Sequence, residues 1–304
     1  MAANLISVLE QEGYRGKIVS VEHLSNLKKD IDTLHQQGMF DEAFFAEELS
    51  GFDFTIPDHI PRAKSLIIAA APQPQVRVTF RLGNKELACI IPPTYSYATD
   101  RKIENLLRRI LDPAGLHIKK AKIPWKLLAV RSGMARYGNN NITYIEGLGS
   151  FYRLVAFFSD LPCSEDCWQE LSFLNECTNC EACTKACPGG AIGAGRFLLH
   201  AERCITFHNE RQGEFPAWLN PSWHNCLVGC MICQKVCPVD KNFRKWIVAG
   251  PTFSVEETAG LMQNADKDKL PREIAQKLDQ LDMTEYLGVL GRNLRALAGR
   301  QGHD

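Results

Sequence analysis

The stretch CTNCEACTKACP, residues 177–188, constrains this chain more than any other. Cys177, Cys180, Cys183 and Cys187 are separated by two, two and three residues, and Pro188 follows the last of them. A second run, CMICQKVCP, places Cys230, Cys233 and Cys237 before Pro238, and Cys204 stands between the two runs. The chain has 12 cysteines, and all except Cys89 fall between Cys163 and Cys237. The rest of the composition is that of an ordinary globular protein, with 45% hydrophobic and 23% charged residues and a formal net charge of zero. The opening segment MAANLISVLEQEGYRGKIV lacks the pattern of a secretory leader. No apolar run approaches the roughly 20 residues of a membrane span. The expected location is the cytoplasm, with no membrane partner. Structural disulfides are rare in such a compartment, so the clustered thiols point to metal.

The first run has the spacing of bacterial ferredoxins. Three thiolates at two-residue gaps wrap three irons of one cube, and the fourth, next to a proline, ligates a different cluster. Such a run therefore needs a partner, which Cys230, Cys233 and Cys237 supply. Cys204 completes the count. The expected sets are Cys177, Cys180, Cys183 and Cys237 for one [4Fe–4S] cluster, and Cys187, Cys204, Cys230 and Cys233 for a second. A zinc knuckle uses paired C-x2-C units and a thioredoxin-like site uses one, so both leave cysteines unexplained. Cys163, Cys167 and Cys226 remain, either as a third site or as packed thiols, the latter being the usual state of a free cysteine. Cys226 is also a competitor for the second cluster. A histidine ligand from His200, His208 or His224 is unnecessary once Cys204 is counted. Trp218 and Trp223, between the ligands of the second cluster, are expected to shield it from solvent.

Patterning gives the remaining organisation. Residues 1–60 read as helical, with Gly38 as a helix terminator. SLIIAAAP, KELACIIPP and SFYRLVAFFSDL read as strands, and residues 100–111 as an amphipathic helix closed by Asp112, Pro113 and Gly115. KLLAVRSGMARYGNNNITYI reads as helix, Gly-rich turn and strand. The fold class is α+β or α/β, in three segments: an α/β domain over 1–162, a ferredoxin-like double-cluster domain over 163–245 and a helical segment over 246–304. The helical segment is expected to pack against the α/β domain.

The cluster layout, taken with PRAKSLIIAAAP, SGMARYGNNNITYI and GLGSFYRLVAFFSDLP, resembles the epoxyqueuosine reductase family and its relatives, the corrinoid-dependent reductive dehalogenases. The resemblance runs from about residue 60 to 240. It implies an α/β domain that holds cobalamin beside a ferredoxin-like domain, with one cluster feeding electrons to cobalt. It also implies removal of an epoxide oxygen from a modified nucleoside in tRNA. Gly138, Asn139, Asn140, Gly149 and Ser150 would then line the corrinoid. Two departures mark a divergent member. No aspartate lies between Asp112 and Asp160, where the family carries its proton donor. The family's Gly-Lys-Asn turn here reads Gly138, Asn139, Asn140. Opening an epoxide requires a proton at the departing oxygen, for which Tyr137, Tyr144, His117 and Glu146 are the stand-ins.

Residues 101–136 carry ten basic residues (Arg101, Lys102, Arg108, Arg109, Lys119, Lys120, Lys122, Lys126, Arg131 and Arg136) against Glu104 and Asp112. This segment suits an anionic partner such as tRNA, or a solvated face. No P-loop or GxGxxG motif follows a strand, so a nucleotide cofactor is not expected. The sequence reading is an iron–sulfur reductase served by an external donor such as a ferredoxin or flavodoxin and acting on tRNA or a small molecule. A non-catalytic electron carrier or reductive activator of a partner enzyme is the alternative.

Overall fold

The structure, a computed structural model, describes residues 2–193, 195–263 and 267–300. The ends of the expected helical segment, residues 301–304, lie outside the described residues. Contacts divide the chain into two compact units, Met1–Gln73 with Tyr97–Cys180, and Pro74–Ser96 with Glu181–Asp304. The grouping is not consecutive, whereas the division at 162 and 245 follows composition.

Unit 1 is built on a four-stranded antiparallel sheet in the order β1 (Arg15–Ser20), β2 (Ser65–Pro72), β8 (Tyr152–Ser159), β5 (Ile118–Lys120). β2 and β8 are almost continuously apolar because both of their faces are covered. Ile67, Ala69 and Ala71 on β2, with Val155 and Phe157 on β8, alternate onto one face. There they meet Leu5 and Leu9 of α1 (Ala2–Gln11) and Ile103, Leu107 and Leu111 of α4 (Tyr97–Leu111). α2 (Leu24–Gln36), the short α3 (Glu42–Phe44) and α5 (Trp125–Arg131) complete the unit's helices. Two residue pairs, β6 (Arg136–Tyr137) and β7 (Thr143–Tyr144), form a small hairpin.

The first 60 residues are not wholly helical. Gly13, at φ +79°, ends α1, and Ile18 and Val19 then enter the sheet as part of β1. α4 begins three residues earlier than expected, and Gly115 at φ +68° follows it in the left-handed conformation.

Unit 2 carries a three-stranded sheet in the order β4 (Lys85–Ile91), β3 (Gln75–Leu82), β9 (Ile247–Phe253). β3 and β4 are antiparallel, and β9 pairs parallel to β3. Val78 and Phe80 point into a core that includes Phe253, whose ring stacks on Phe80 at 4.8 Å. α9 (Val255–Met262), α10 (Arg272–Gln280) and α11 (Leu287–Arg300) cover this sheet. The C-terminal helices therefore pack on the β3–β4 hairpin, and β9 is a strand within a segment expected to be helical. A Ser254–Glu257 capping box starts α9. Leu227 and Val228, from the loop before Cys230, are fully buried in the same core, and Leu227 N–H donates to the Ile90 carbonyl at 2.8 Å. The cysteine loops of unit 2 thus rest on a conventional hydrophobic base. Three short helices punctuate them: α6 (Ala182–Ala186), α7 (Ile205–Glu210) and α8 (Ile232–Lys235).

Candidate metal centre

The cysteine loops of unit 2 are drawn together by backbone contacts that only small residues allow. α6 and α8, each of which carries cysteines of one run, pack against each other. A Cβ on Gly189 would collide with the carbonyl oxygen of Arg203, so the chain after Cys187 lies directly against the chain before Cys204. Cys187 and Cys230 lie near enough to act on the ionisation of the Cys204 thiol, and Cys187 on that of Cys230. All three are members of the set that spacing assigns to the second cluster.

Their sulfurs also receive hydrogen bonds. The Ala191 N–H donates to Cys187 Sγ at 3.3 Å, and Asn225 Nδ2 donates to Cys230 Sγ at 3.2 Å. Cys204 receives bonds from the backbone and hydroxyl of Thr206. Burial, more than any other cause, pushes the Cys204 thiol up to about 11 and raises Cys230. Half-buried thiols that receive donors at sulfur fit iron ligation, because a bound cation reverses the desolvation penalty and the donors balance thiolate charge. Among the described residues, no group of three or more His, Cys, Asp or Glu side chains has the geometry for a single metal ion. For the other set, Cys183 and Cys237 are buried, while Cys177 and Cys180 are the half-buried end of unit 1. Their assignment rests on spacing.

The remaining cysteines behave as packed or surface thiols. Cys226 is fully buried, its thiol donates to Asn225 Oδ1 at 3.2 Å, and burial drives its ionisation far up. Cys89 is likewise buried. Cys163 lies 3.5 Å from the Glu165 carbonyl, and Cys167 is exposed. His200 and His208 are hydrogen-bonded elsewhere. His200 Nδ1 is 3.1 Å from Glu202 Oε1, and His208 Nε2 is 2.8 Å from the Glu202 carbonyl. His224 is buried beside Phe215, and desolvation, with help from the Arg292 charge, lowers it to about 4. Trp218 lies against Gly189 yet keeps 45% of its surface exposed.

In unit 1 the Gly-rich turn joins β6 to β7. Gly138 is required by packing, since a Cβ there would meet the Tyr144 ring at 2.7 Å and Asn140 Oδ1 at 2.8 Å. Asn140 is buried, donates to Tyr144 Oη at 2.9 Å and accepts from Ile142 N–H at 3.2 Å. Asn141 takes the left-handed conformation at φ +57°. Asn139 is exposed and donates through Nδ2 to the Cys177 carbonyl at 3.1 Å. Two backbone bonds tie Tyr137 to Ser172 and Leu174 at 2.9 Å each. The turn therefore fixes the approach to the first cysteine run. Gly149, at φ +57°, accepts from Ile145 N–H at 2.9 Å, and Ser150 is buried. The five residues assigned to a corrinoid are thus brought into one region, but four of them are buried within the protein. Asn139 ties this region to the Cys177 loop.

Of the four stand-in acids, Tyr137 and Tyr144 are buried, and burial followed by the Asp30 charge raises Tyr137. His117 sits just before the edge strand β5 with Nδ1 2.9 Å from Asp160 Oδ2. Glu146 is exposed and borders a cavity of about 460 Å³ together with Arg15, Lys17, Met134 and Cys167. The basic segment is partly neutralised. Lys120 and Arg153 both bind the buried Asp100, at 2.5 and 2.8 Å, and Arg131 binds Asp30 at 2.8 Å. Lys102, Arg109, Lys119 and Arg136 lie at the surface. Sequence reasoning did not find Asn225, Thr206 or Asp100, whose roles arise only when distant segments meet.

A family model described as a 4Fe-4S double cluster binding domain matches residues 176–240. The curated epoxyqueuosine reductase of Pseudomonas aeruginosa is 31% identical over 144 residues, covering 45% of this chain and 39% of its own length. That of Escherichia coli is 31% identical over 156 residues, covering 47% of this chain and 40% of its own length. The match therefore spans about two fifths of those relatives. The solved epoxyqueuosine reductase of Streptococcus thermophilus superposes with a TM-score of 0.67 at 16% identity, over 99% of this chain and 81% of that one. An epoxyqueuosine reductase solved with an epoxyqueuosine-modified tRNA-Tyr stem loop gives 0.65 at 19% identity, over 98% and 80%. At such identities the likeness is one of fold. No helix among the described residues is long and apolar enough to cross a membrane.

Proposed function

We propose that this chain, which resembles the epoxyqueuosine reductases in sequence and in fold, is an iron–sulfur reductase. Its substrate loses an oxygen or another leaving group. The supporting observation is the meeting of Cys187, Cys204 and Cys230 with hydrogen-bond donors aimed at their sulfurs, inside a double-cluster binding domain. Cys177, Cys180, Cys183 and Cys237 would hold one cluster, and Cys187, Cys204, Cys230 and Cys233 the other. When bound, such clusters supply one-electron relay. The chain's own residues hold the cysteine loops on the unit 2 core and anchor the Cys177 loop to the Gly138–Ile142 turn.

An epoxide is the first substrate class to test, because two electrons and two protons convert it to an alkene and water. A protein acid must deliver one of those protons to the departing oxygen. Glu146 is the stand-in that borders a cavity. A corrinoid belongs to the proposal through the family resemblance. The Gly138–Ile142 turn is engaged within the fold. The electron donor is proposed to be a ferredoxin or flavodoxin, and tRNA the carrier of the substrate. The second reading, an electron carrier without chemistry of its own, draws support from the burial of Tyr137 and Tyr144 and the pairing of His117 with Asp160.

Protein purified without oxygen, incubated with cobalamin and desalted, separates these readings. About eight irons with retained cobalt is the expected result. Eight irons without cobalt favours the carrier, and zinc in place of iron defeats both. Binding to tRNA that does not weaken with salt counts against the nucleic-acid substrate.

A further inference from the structure

Asn225 lies five residues before Cys230, and its amide is held on all sides. Oδ1 accepts from Met231 N–H at 2.9 Å and from the Cys226 thiol at 3.2 Å. Nδ2 donates to the Trp223 carbonyl at 3.1 Å and to Cys230 Sγ at 3.2 Å. The two ends of an asparagine amide are distinguished only by their partners. Here the partners decide. Met231 N–H can only donate and the Trp223 carbonyl can only accept, so the oxygen must face Met231 and the NH2 group must face the carbonyl and the sulfur. Asn225 is therefore locked as a donor to Cys230. Cys226, fully buried, supports the far side of the amide.

A hydrogen bond to a ligand sulfur acts on the two redox states of a cluster unequally. The reduced cluster carries one more negative charge, so a donor at sulfur stabilises it more and raises the reduction potential. The bond is worth most where water is excluded, and the chain around it, Leu227, Val228 and Met231, is fully buried.

We propose that Asn225 is a positioning residue that sets the potential of the cluster ligated by Cys230, with Cys226 serving as its support instead of as a ligand. This rests on the double-cluster reading above.

The test is a redox titration of the anaerobic protein followed by electron paramagnetic resonance, with wild type, Asn225→Ala, Asn225→Asp and Cys226→Ala compared after iron analysis. Asn225→Ala removes the donor. Asn225→Asp keeps the oxygen that serves Met231 and puts a carboxylate at the sulfur. One of the two midpoints is expected to fall in the order wild type, Ala, Asp, while the other midpoint stays. A tenfold change in that one-electron equilibrium reads as about 59 mV. Cys226→Ala is expected to keep both clusters and move neither midpoint by a comparable amount. Unchanged midpoints in both Asn225 variants with full iron would overturn the proposal. So would loss of one cluster in both, which would leave Asn225 a loop support only. A wild type without about eight irons would instead defeat the double-cluster reading itself.

Discussion

Cys204 is half-buried and Cys226 fully buried, both lie near Cys230, and spacing alone leaves them competing for one ligand position. Their surroundings separate them. Cys204 faces Cys187 and Cys230 with donors from Thr206 at its sulfur, whereas the Cys226 thiol is itself the donor, to Asn225 Oδ1 at 3.2 Å. A ligand sulfur has no proton to give, so the bond made by Cys226 marks a free thiol. Cys204→Ala is therefore expected to reduce iron from about eight to about four per chain, and Cys226→Ala to leave it near eight. Iron and acid-labile sulfide analysis on anaerobic preparations reads the difference directly. The opposite result would exchange the two assignments. Spacing made legible the four cysteines of the first run, the three of the second and Cys204 as the candidate eighth. The donors at sulfur come from Thr206 and Asn225 and follow no motif.

Elements carry the next level of the site, and here glycine decides. The chain after Pro188 touches the carbonyl of Arg203 where Gly189 offers no Cβ, which is what lets the Cys187 and Cys204 loops meet. Gly189→Ala must push one backbone away from the other, since neither neighbour is the end of a flexible side chain. The expected outcome is selective loss of the cluster ligated by Cys187 and Cys204, seen as about half the wild-type iron, with far-ultraviolet circular dichroism little changed. Retention of all the iron would show that the loops can separate and still ligate. The same level explains which elements were readable beforehand. β2 and β8 announce themselves as long apolar runs because they are central strands, and α4 by its amphipathic period. β1, β3 and β9 escaped notice. β9 lies at a sheet edge, buries only Phe253 and contains Gly250 and Pro251, so its strand character comes from pairing with β3 and not from its own pattern.

At the scale of the whole chain, the two units differ in what holds them. Unit 1 has a four-stranded sheet whose central strands are buried on both faces, with Leu5, Leu9, Ile103 and Leu107 packed on one of them, a core that stands on apolar burial. In unit 2 the sheet and the helices α9–α11 have their own core, but residues 181–240 are loops joined by helices of six residues or fewer. Outside those short helices the loops have little regular backbone pairing to offset the conformational entropy that their order costs. Iron–thiolate bonds would supply the missing restraint, since metal binding that requires the folded loop adds to its stability. Removing iron by an anaerobic chelator with mild oxidant should therefore act unevenly. Hydrogen–deuterium exchange is expected to accelerate over 181–226, while β2 and β8 keep their protection. Leu227 and Val228, buried in the core beneath Cys230, should form the boundary, exchanging slowly even without metal. Equal loss of protection across both units would mean that the clusters hold the whole chain. No change over the cysteine loops would mean that their order does not depend on iron, and the argument from short helices would fail.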